Sequence, residues 1–151
     1  MRSKAYFGKR FSDLIYVSIF FLLSSPLFIL VPLIIYFTYG RPILYKGARV
    51  GLSEKVFYQY KFRTMYRNIS DNSFTSYNDS RITKVGKYLR LLKIDELPQL
   101  YNVFKGDMSI VGPRPEVEKL VKENYTQDQK RIFTIMPGIT SPLVVKYFPD
   151  Y

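Results

Sequence analysis

Between Asp13 and Arg41 the chain runs for 27 residues without a charged side chain, and Leu, Ile, Val and Phe dominate the run. That length exceeds the ~18 consecutive apolar residues that mark a bilayer segment. A secretory signal fits poorly, because its apolar core spans ~7–15 residues and ends at a small-residue cleavage site not seen here. Pro26 lacks an amide hydrogen and its ring clashes with the carbonyl of Leu22, so Ser25-Pro26 marks a break, with the Ser24 and Ser25 hydroxyls available to the freed backbone. Each leg then rises ~20 Å, short of the ~30 Å hydrocarbon layer. Arg2, Lys4, Lys9 and Arg10 precede the run and Arg41, Lys46 and Arg49 follow it. Cationic flanks prefer the cytoplasmic side, which favours a re-entrant helix-break-helix over one tilted helix kinked at Pro26 and Pro32.

After Gly40 the period changes. Residues 43–45 and 56–63 read as a β-hairpin, with Gly47 and Gly51 as turn material. In the second strand Val56, Tyr58, Tyr60 and Phe62 alternate with Phe57, Gln59, Lys61 and Arg63, so one face carries two cations and an amide and suits phosphate. A solvated face with incidental charges is the competing reading. Residues 66–80 are polar and aperiodic, and read as a loop containing the sequons Asn68-Ile69-Ser70 and Asn78-Asp79-Ser80, irrelevant in a cytoplasmic domain. From Arg81 to Leu92, Ile82, Val85, Leu89 and Leu92 fall at helical spacing, with Lys84, Lys87, Arg90 and Lys93 largely off that stripe. In the next helix Asp95 reads as the N-cap, Pro98 falls in the first turn and Gly106 is the stop. Residues 116–124 read as a helix starting after Pro115, and Thr126 with Gln129 forms a capping-box pattern.

Composition narrows the chemistry. With 151 residues there is room for about one domain. The chain has no cysteine and no histidine, which excludes disulfides, Cys or His zinc sites, thiol nucleophiles and histidine-based triads. A thiol-free chain agrees with a reducing compartment without establishing one. The net charge of +11 calls for anionic partners, and residues 41–93 hold 12 basic against 3 acidic side chains. Phosphorylated small molecules or an acidic membrane surface fit best; no nucleic-acid motif appears, so no nucleic acid partner is expected.

Several blocks together are specific. Lys9-Arg10 with Asp13, Ser25-Pro26, Gly40-Arg41-Pro42, Tyr60-Lys61-Phe62-Arg63-Thr64-Met65, Asp95-Glu96-Leu97-Pro98-Gln99-Leu100, Lys105-Gly106-Asp107-Met108-Ser109, Val111-Gly112-Pro113-Arg114-Pro115-Glu116 and Pro137-Gly138-Ile139-Thr140 stand in this order. They closely resemble the bacterial sugar transferase family, the monotopic polyprenyl-phosphate phosphoglycosyl transferases, over roughly residues 5–141. The resemblance implies an α/β, mostly helical monotopic protein of the bacterial inner membrane. Residues 1–40 would form a re-entrant anchor broken at Ser25-Pro26. Residues 41–151 would form a catalytic domain on the cytoplasmic face, with a small β-hairpin and several short helices. It further implies that Asp95 is the nucleophile of a two-step transfer, with Glu96 beside it. Asp95 would take a sugar 1-phosphate from a nucleoside diphosphate sugar, usually a UDP-sugar, and pass it to polyprenyl phosphate, here undecaprenyl phosphate. The product would be the first lipid-linked unit of a surface glycan.

Elementary chemistry adds roles. A carboxylate nucleophile divides phosphoryl transfer into two steps, and the diphosphate oxygens call for Mg²⁺, with Glu96 as first ligand and Asp95 as second. Arg114, between Pro113 and Pro115, is the expected diphosphate clamp, with Lys61, Arg63 and Arg90 as weaker candidates and Arg49 weaker still. Asp107 is read either as a turn residue or as a metal or substrate contact. Ser141-Pro142 departs from the glycine of many members, and the chain stops several tens of residues before members usually finish. A second reading is therefore a truncated, catalytically silent anchored module that holds anionic lipid or nucleic acid.

Overall fold

A computed structural model describes residues 4–66 and 79–141. Arg2, most of the polar 66–80 segment with its Asn68 sequon, and Pro142 lie outside the described residues. Helix α1 (Lys4–Leu23) begins well before the charge-free run, and helix α2 (Ser25–Tyr39) follows after a bend of 58°. The break falls at Ser24 (φ −88°, ψ 2°), one residue before the Ser25-Pro26 pair, and Pro26 occupies the first turn of α2, where a missing N–H goes unused. The Ser24 hydroxyl donates to the Phe20 carbonyl, which also accepts the Ser24 N–H at 2.9 Å. Among the described residues no single helix is long and apolar enough to cross a membrane, whereas the bent pair meets that requirement by length and composition.

Strands β1 (Leu44–Val50) and β2 (Val56–Phe62) pair antiparallel, from Leu44↔Phe62 to Val50↔Val56. Gly47, expected in the turn, instead lies within β1 opposite Gln59, where the Tyr45 ring occupies the space a Cβ would take. The connection is the 3-10 turn Leu52–Glu54, with Ser53 and Glu54 at positive φ. Helix α3 (Lys84–Leu91) starts three residues later than expected, because the Thr83 hydroxyl accepts the Gly86 N–H and caps it. Helix α4 (Gln99–Lys105) ends at Gly106, whose φ of 91° is the left-handed geometry a helix stop favours.

Strand β3 (Ser109–Val111) leads to β4 (Glu116–Val117), which pairs with β1 and gives the order β2-β1-β4. The helix expected from residue 116 therefore begins at Glu118, as α5 (Glu118–Asn124). The capping box forms reciprocally, Thr126 N–H to Gln129 Oε1 at 2.8 Å and Gln129 N–H to Thr126 Oγ1 at 3.3 Å, and leads into the 3-10 segment Gln129–Thr134. Strand β5 (Gly138–Thr140) returns parallel to β3.

The helix pair supplies part of the core. Val17, fully buried, packs with Phe57, Leu100, Val103 and Met108. Val31 and Ile35 pack with Phe62 and Leu89, and Phe28 and Leu97 touch both clusters. The outward faces of α1 and α2 remain apolar and exposed, as at Phe11, Ile19, Leu22, Ile29, Leu33 and Phe37.

Candidate active site

Asp95 and Glu96 lie in the 3-10 turn Ile94–Glu96 that links α3 to α4, after Lys93 at φ 57°. The expected capping role of Asp95 is not realised: α4 begins only at Gln99, Pro98 takes the cap position, and no side chain caps it. Asp95 is instead 7% exposed, and its Oδ1 is buried without a hydrogen-bond partner. Glu96 Oε1 accepts a 2.6 Å bond from Lys61 Nζ, with the two side chains 17% and 19% exposed.

The charges differ in consequence. Burial pushes the Asp95 carboxyl above its usual range, against the attraction of Lys61 and with the help of its neighbour Glu96. Burial also acts to raise Glu96, but the field and hydrogen bond of Lys61, with Arg114 and Lys93 adding to them, hold it below. Both carboxylates are thus desolvated, and only Glu96 is held as an anion by a bonded lysine.

Lys61 reaches this place because the polar face of β2 is the one turned inward. Gln59 is buried while Val56 and Tyr58 are exposed, the reverse of a solvated polar face. Phe62 is buried too, in the second core cluster against α2. Of the other expected cations, half-buried Arg90 bonds Thr64 Oγ1 through Nε at 2.8 Å, and its charge opposes the rise that burial imposes on Asp95. Exposed Arg114 acts on Glu96 and on Arg49. Arg49 donates through Nε to Gln59 Oε1 at 3.3 Å, and its own pKa is lowered, chiefly by burial. Arg63 is turned to another end of the fold, donating to the Tyr39 and Gly40 carbonyls at 2.8 and 2.9 Å and closing the C-terminus of α2.

The loop bearing Arg114 is fixed by two glycines. Gly112 N–H donates to Thr140 O at 3.0 Å and Gly138 N–H to Pro113 O at 2.9 Å, and a Cβ on either would collide with the facing backbone. Asp107 accepts from Asn102 and pairs with Lys105 at 3.2 Å, which engages it at the end of α4.

Sequence periodicity put Gln59 on the face of β2 that carries Lys61 but gave no sign of Gln99 or Asn102. Fully buried Asn102 takes the Tyr60 N–H on Oδ1 at 3.1 Å and donates to Tyr58 O at 2.8 Å, and so completes the edge of β2 as a strand would. Gln59 Nε2 donates to Gln99 Oε1 at 3.1 Å, and Gln99 Nε2 is left buried without a partner. A lone amide in an apolar stripe, as at Gln99 and Asn102 among Leu100, Val103 and Phe104, was the available signal. The N-terminal motif is likewise used: Arg10 holds the Val103 and Phe104 carbonyls, while buried Asp13 accepts from Ser109 Oγ at 2.7 Å and from Ile110 N at 3.3 Å.

No group of three carboxylates gathers for a metal among the described residues. The pair that is present fits an ion that takes one or two protein carboxylates and completes its shell with phosphate and water. Glu96 uses Oε1 on Lys61, so the oxygens open to such an ion are Glu96 Oε2 and those of Asp95, whose Oδ1 has no partner.

A family model described as bacterial sugar transferase matches residues 4–150. The uncharacterized sugar transferase EpsL of Bacillus subtilis is 41% identical over 133 residues, covering 87% of this chain and 65% of that protein. An undecaprenyl-phosphate glucose phosphotransferase of Komagataeibacter xylinus is 44% identical over 141 residues, covering 87% of this chain and 26% of its own. An undecaprenyl-phosphate galactose phosphotransferase of Salmonella typhimurium is 37% identical over 156 residues, covering 89% and 31%. The chain therefore spans just under two thirds of the Bacillus protein and a third or less of the other two.

Proposed function

The chain belongs to the bacterial sugar transferase family, and from that premise we propose that it transfers a sugar 1-phosphate from a nucleoside diphosphate sugar, a UDP-sugar first, to undecaprenyl phosphate. The observation that carries this reading is a buried aspartate with an unpartnered oxygen, set against an anion already neutralised by Lys61. An Asp95 oxygen attacks the phosphorus next to the sugar, and the bond from that phosphorus to the nucleoside monophosphate breaks, its electron pair leaving with the monophosphate. A phosphate oxygen of undecaprenyl phosphate then attacks the same phosphorus, the acyl-phosphate bond breaks, and the Asp95 carboxylate is restored.

The residues divide the work. Burial strips water from the Asp95 carboxylate, while Lys61 attracts both carboxylates and so offsets the rise that burial and the Glu96 charge impose on Asp95. Arg114, on its stiff loop, takes diphosphate oxygens bidentately, with Arg90 and Arg49 adding positive field. Glu96 and Asp95 would hold Mg²⁺, which neutralises diphosphate charge when bound. We assign residues 1–40 to a re-entrant anchor and residues 41–151 to catalysis at the cytoplasmic face, where a water-soluble donor and a lipid acceptor meet. The apolar outer faces of the bent pair support this placement.

The test is transfer of radiolabel from a panel of UDP-sugars to undecaprenyl phosphate, with mass analysis of the Asp95 peptide. Transfer abolished in Asp95→Asn, with a phospho-sugar on that peptide in the absence of acceptor, is the expected result. Glycolipid formed with no added mass on the peptide would exclude the aspartyl intermediate, and no transfer from any donor would favour a silent anchored module.

A further inference from the structure

Two buried polar atoms near the nucleophile lack partners among the described residues, and they are complementary: Asp95 Oδ1 accepts and Gln99 Nε2 donates. Asp95 and Gln99 are four residues apart along a continuous succession of turns, with Leu97 N–H on Ile94 O and Leu100 N–H on Leu97 O. That stretch winds as i→i+3 turns, so the two residues stand little more than one turn apart along it. Gln99 is 1% exposed, so water does not serve its amide.

The orientation of that amide is not arbitrary. Arg49 can only donate, so its Nε bond fixes Oε1 of Gln59 toward the guanidinium and turns the Gln59 NH₂ group away. That NH₂ group meets Gln99 Oε1 at 3.1 Å, which leaves the Gln99 NH₂ group as the free end of the relay. A guanidinium at the half-buried rim thus dictates, through two amides, that the relay ends on a donor rather than an acceptor, four residues along the chain from Asp95.

We propose that Gln99 is a positioning residue whose Nε2–H donates to Asp95 Oδ1 when the sugar donor binds, holding the carboxylate with Oδ2 toward the phosphorus. No bond joins the two groups in the free chain. This inference rests on the transfer reaction above and adds to it the group that orients the nucleophile. Gln59 and Arg49 act one and two bonds further away, by fixing which end of Gln99 faces Asp95.

The experiment measures the rate of phospho-sugar adduct formation on the full chain in detergent, in a single turnover with UDP-sugar and no acceptor. Gln99→Glu keeps the length of the side chain and an acceptor for Gln59 but replaces the donor. Gln99→Met repeats the test without a buried charge. Both should slow adduct formation on the order of 100-fold, the scale of a misplaced reacting group, with KM for the donor close to wild type; in Gln99→Met, which buries no charge, the thermal midpoint should also stay close to wild type. Gln59→Leu, which frees the Gln99 amide to flip, should give a smaller loss, and the double variant should be no slower than Gln99→Glu alone. Adduct formed at wild-type rate by Gln99→Met overturns the inference alone, as does a loss that follows the thermal midpoint in every variant. A wild-type chain that forms no adduct with any donor overturns both this inference and the reaction on which it rests.

Discussion

At the scale of single residues, charge is placed by what covers it. Lys61 and Glu96 satisfy each other in a largely covered site, so removal of either leaves a buried charge, which costs about 3–5 kcal/mol. A second covered pair lies outside the site: Arg81 bonds both oxygens of Asp79, mainly through its side chain, and holds the carboxyl at about 2, well below its ordinary 3.8. A depressed folded value means that the pair contributes stability above about pH 4 and loses that contribution as the pH falls toward 2. Thermal midpoints of wild type and Asp79→Asn should differ above pH 4 and converge toward pH 2; a gap constant with pH would disprove the linkage. Asp95 and Glu96 were legible in the sequence because they stand in a dense motif. The burial of Gln59 was not, because alternation along β2 separates two faces without saying which turns inward, and Gln99 was not, because a polar residue at the start of a helix ordinarily faces solvent.

At the scale of elements, legibility followed length. The bent helix pair, the hairpin, α3 and the stop at Gly106 leave long or chemically distinctive traces, and their existence could be read with ends a few residues off. Strands β3, β4 and β5 span two or three residues each, too few for a period of two to appear, and β3 pairs with β5 from 29 residues away. Gly112 and Gly138 were the hint, since both mark a close approach of backbones. In Gly112→Ala the new Cβ meets the Met136 carbonyl, so the parallel pair should open and the Arg114 loop with it. We expect destabilisation of about 2 kcal/mol or more in denaturant unfolding, together with lost transfer. Arg114→Ala, exposed and without an intramolecular hydrogen bond among the described residues, should lose transfer while its unfolding midpoint stays put. Equal loss of both properties in Arg114→Ala would make that arginine structural.

At the scale of the whole molecule, the question is how a chain with 27 uncharged residues near its start meets a bilayer. The absence of native cysteine makes this measurable, since any introduced thiol is the only one present. Gly8→Cys and Thr38→Cys stand at exposed positions near the outer ends of α1 and α2. Both should react with an impermeant maleimide in inside-out vesicles and neither in right-side-out ones; labelling of Gly8→Cys from outside would make the pair a spanning helix. With both ends on one side, a 58° bend inclines each leg about 29° to the membrane plane. A 15-residue leg such as α2 then penetrates about 11 Å, less than half of a ~30 Å hydrocarbon layer. A re-entrant body so flat would displace lipid from one leaflet and leave the opposite one undisturbed. It would act as a wedge, expanding the area of that leaflet alone, and the protein would then gather where headgroups are loosely packed or the leaflet it enters is convex.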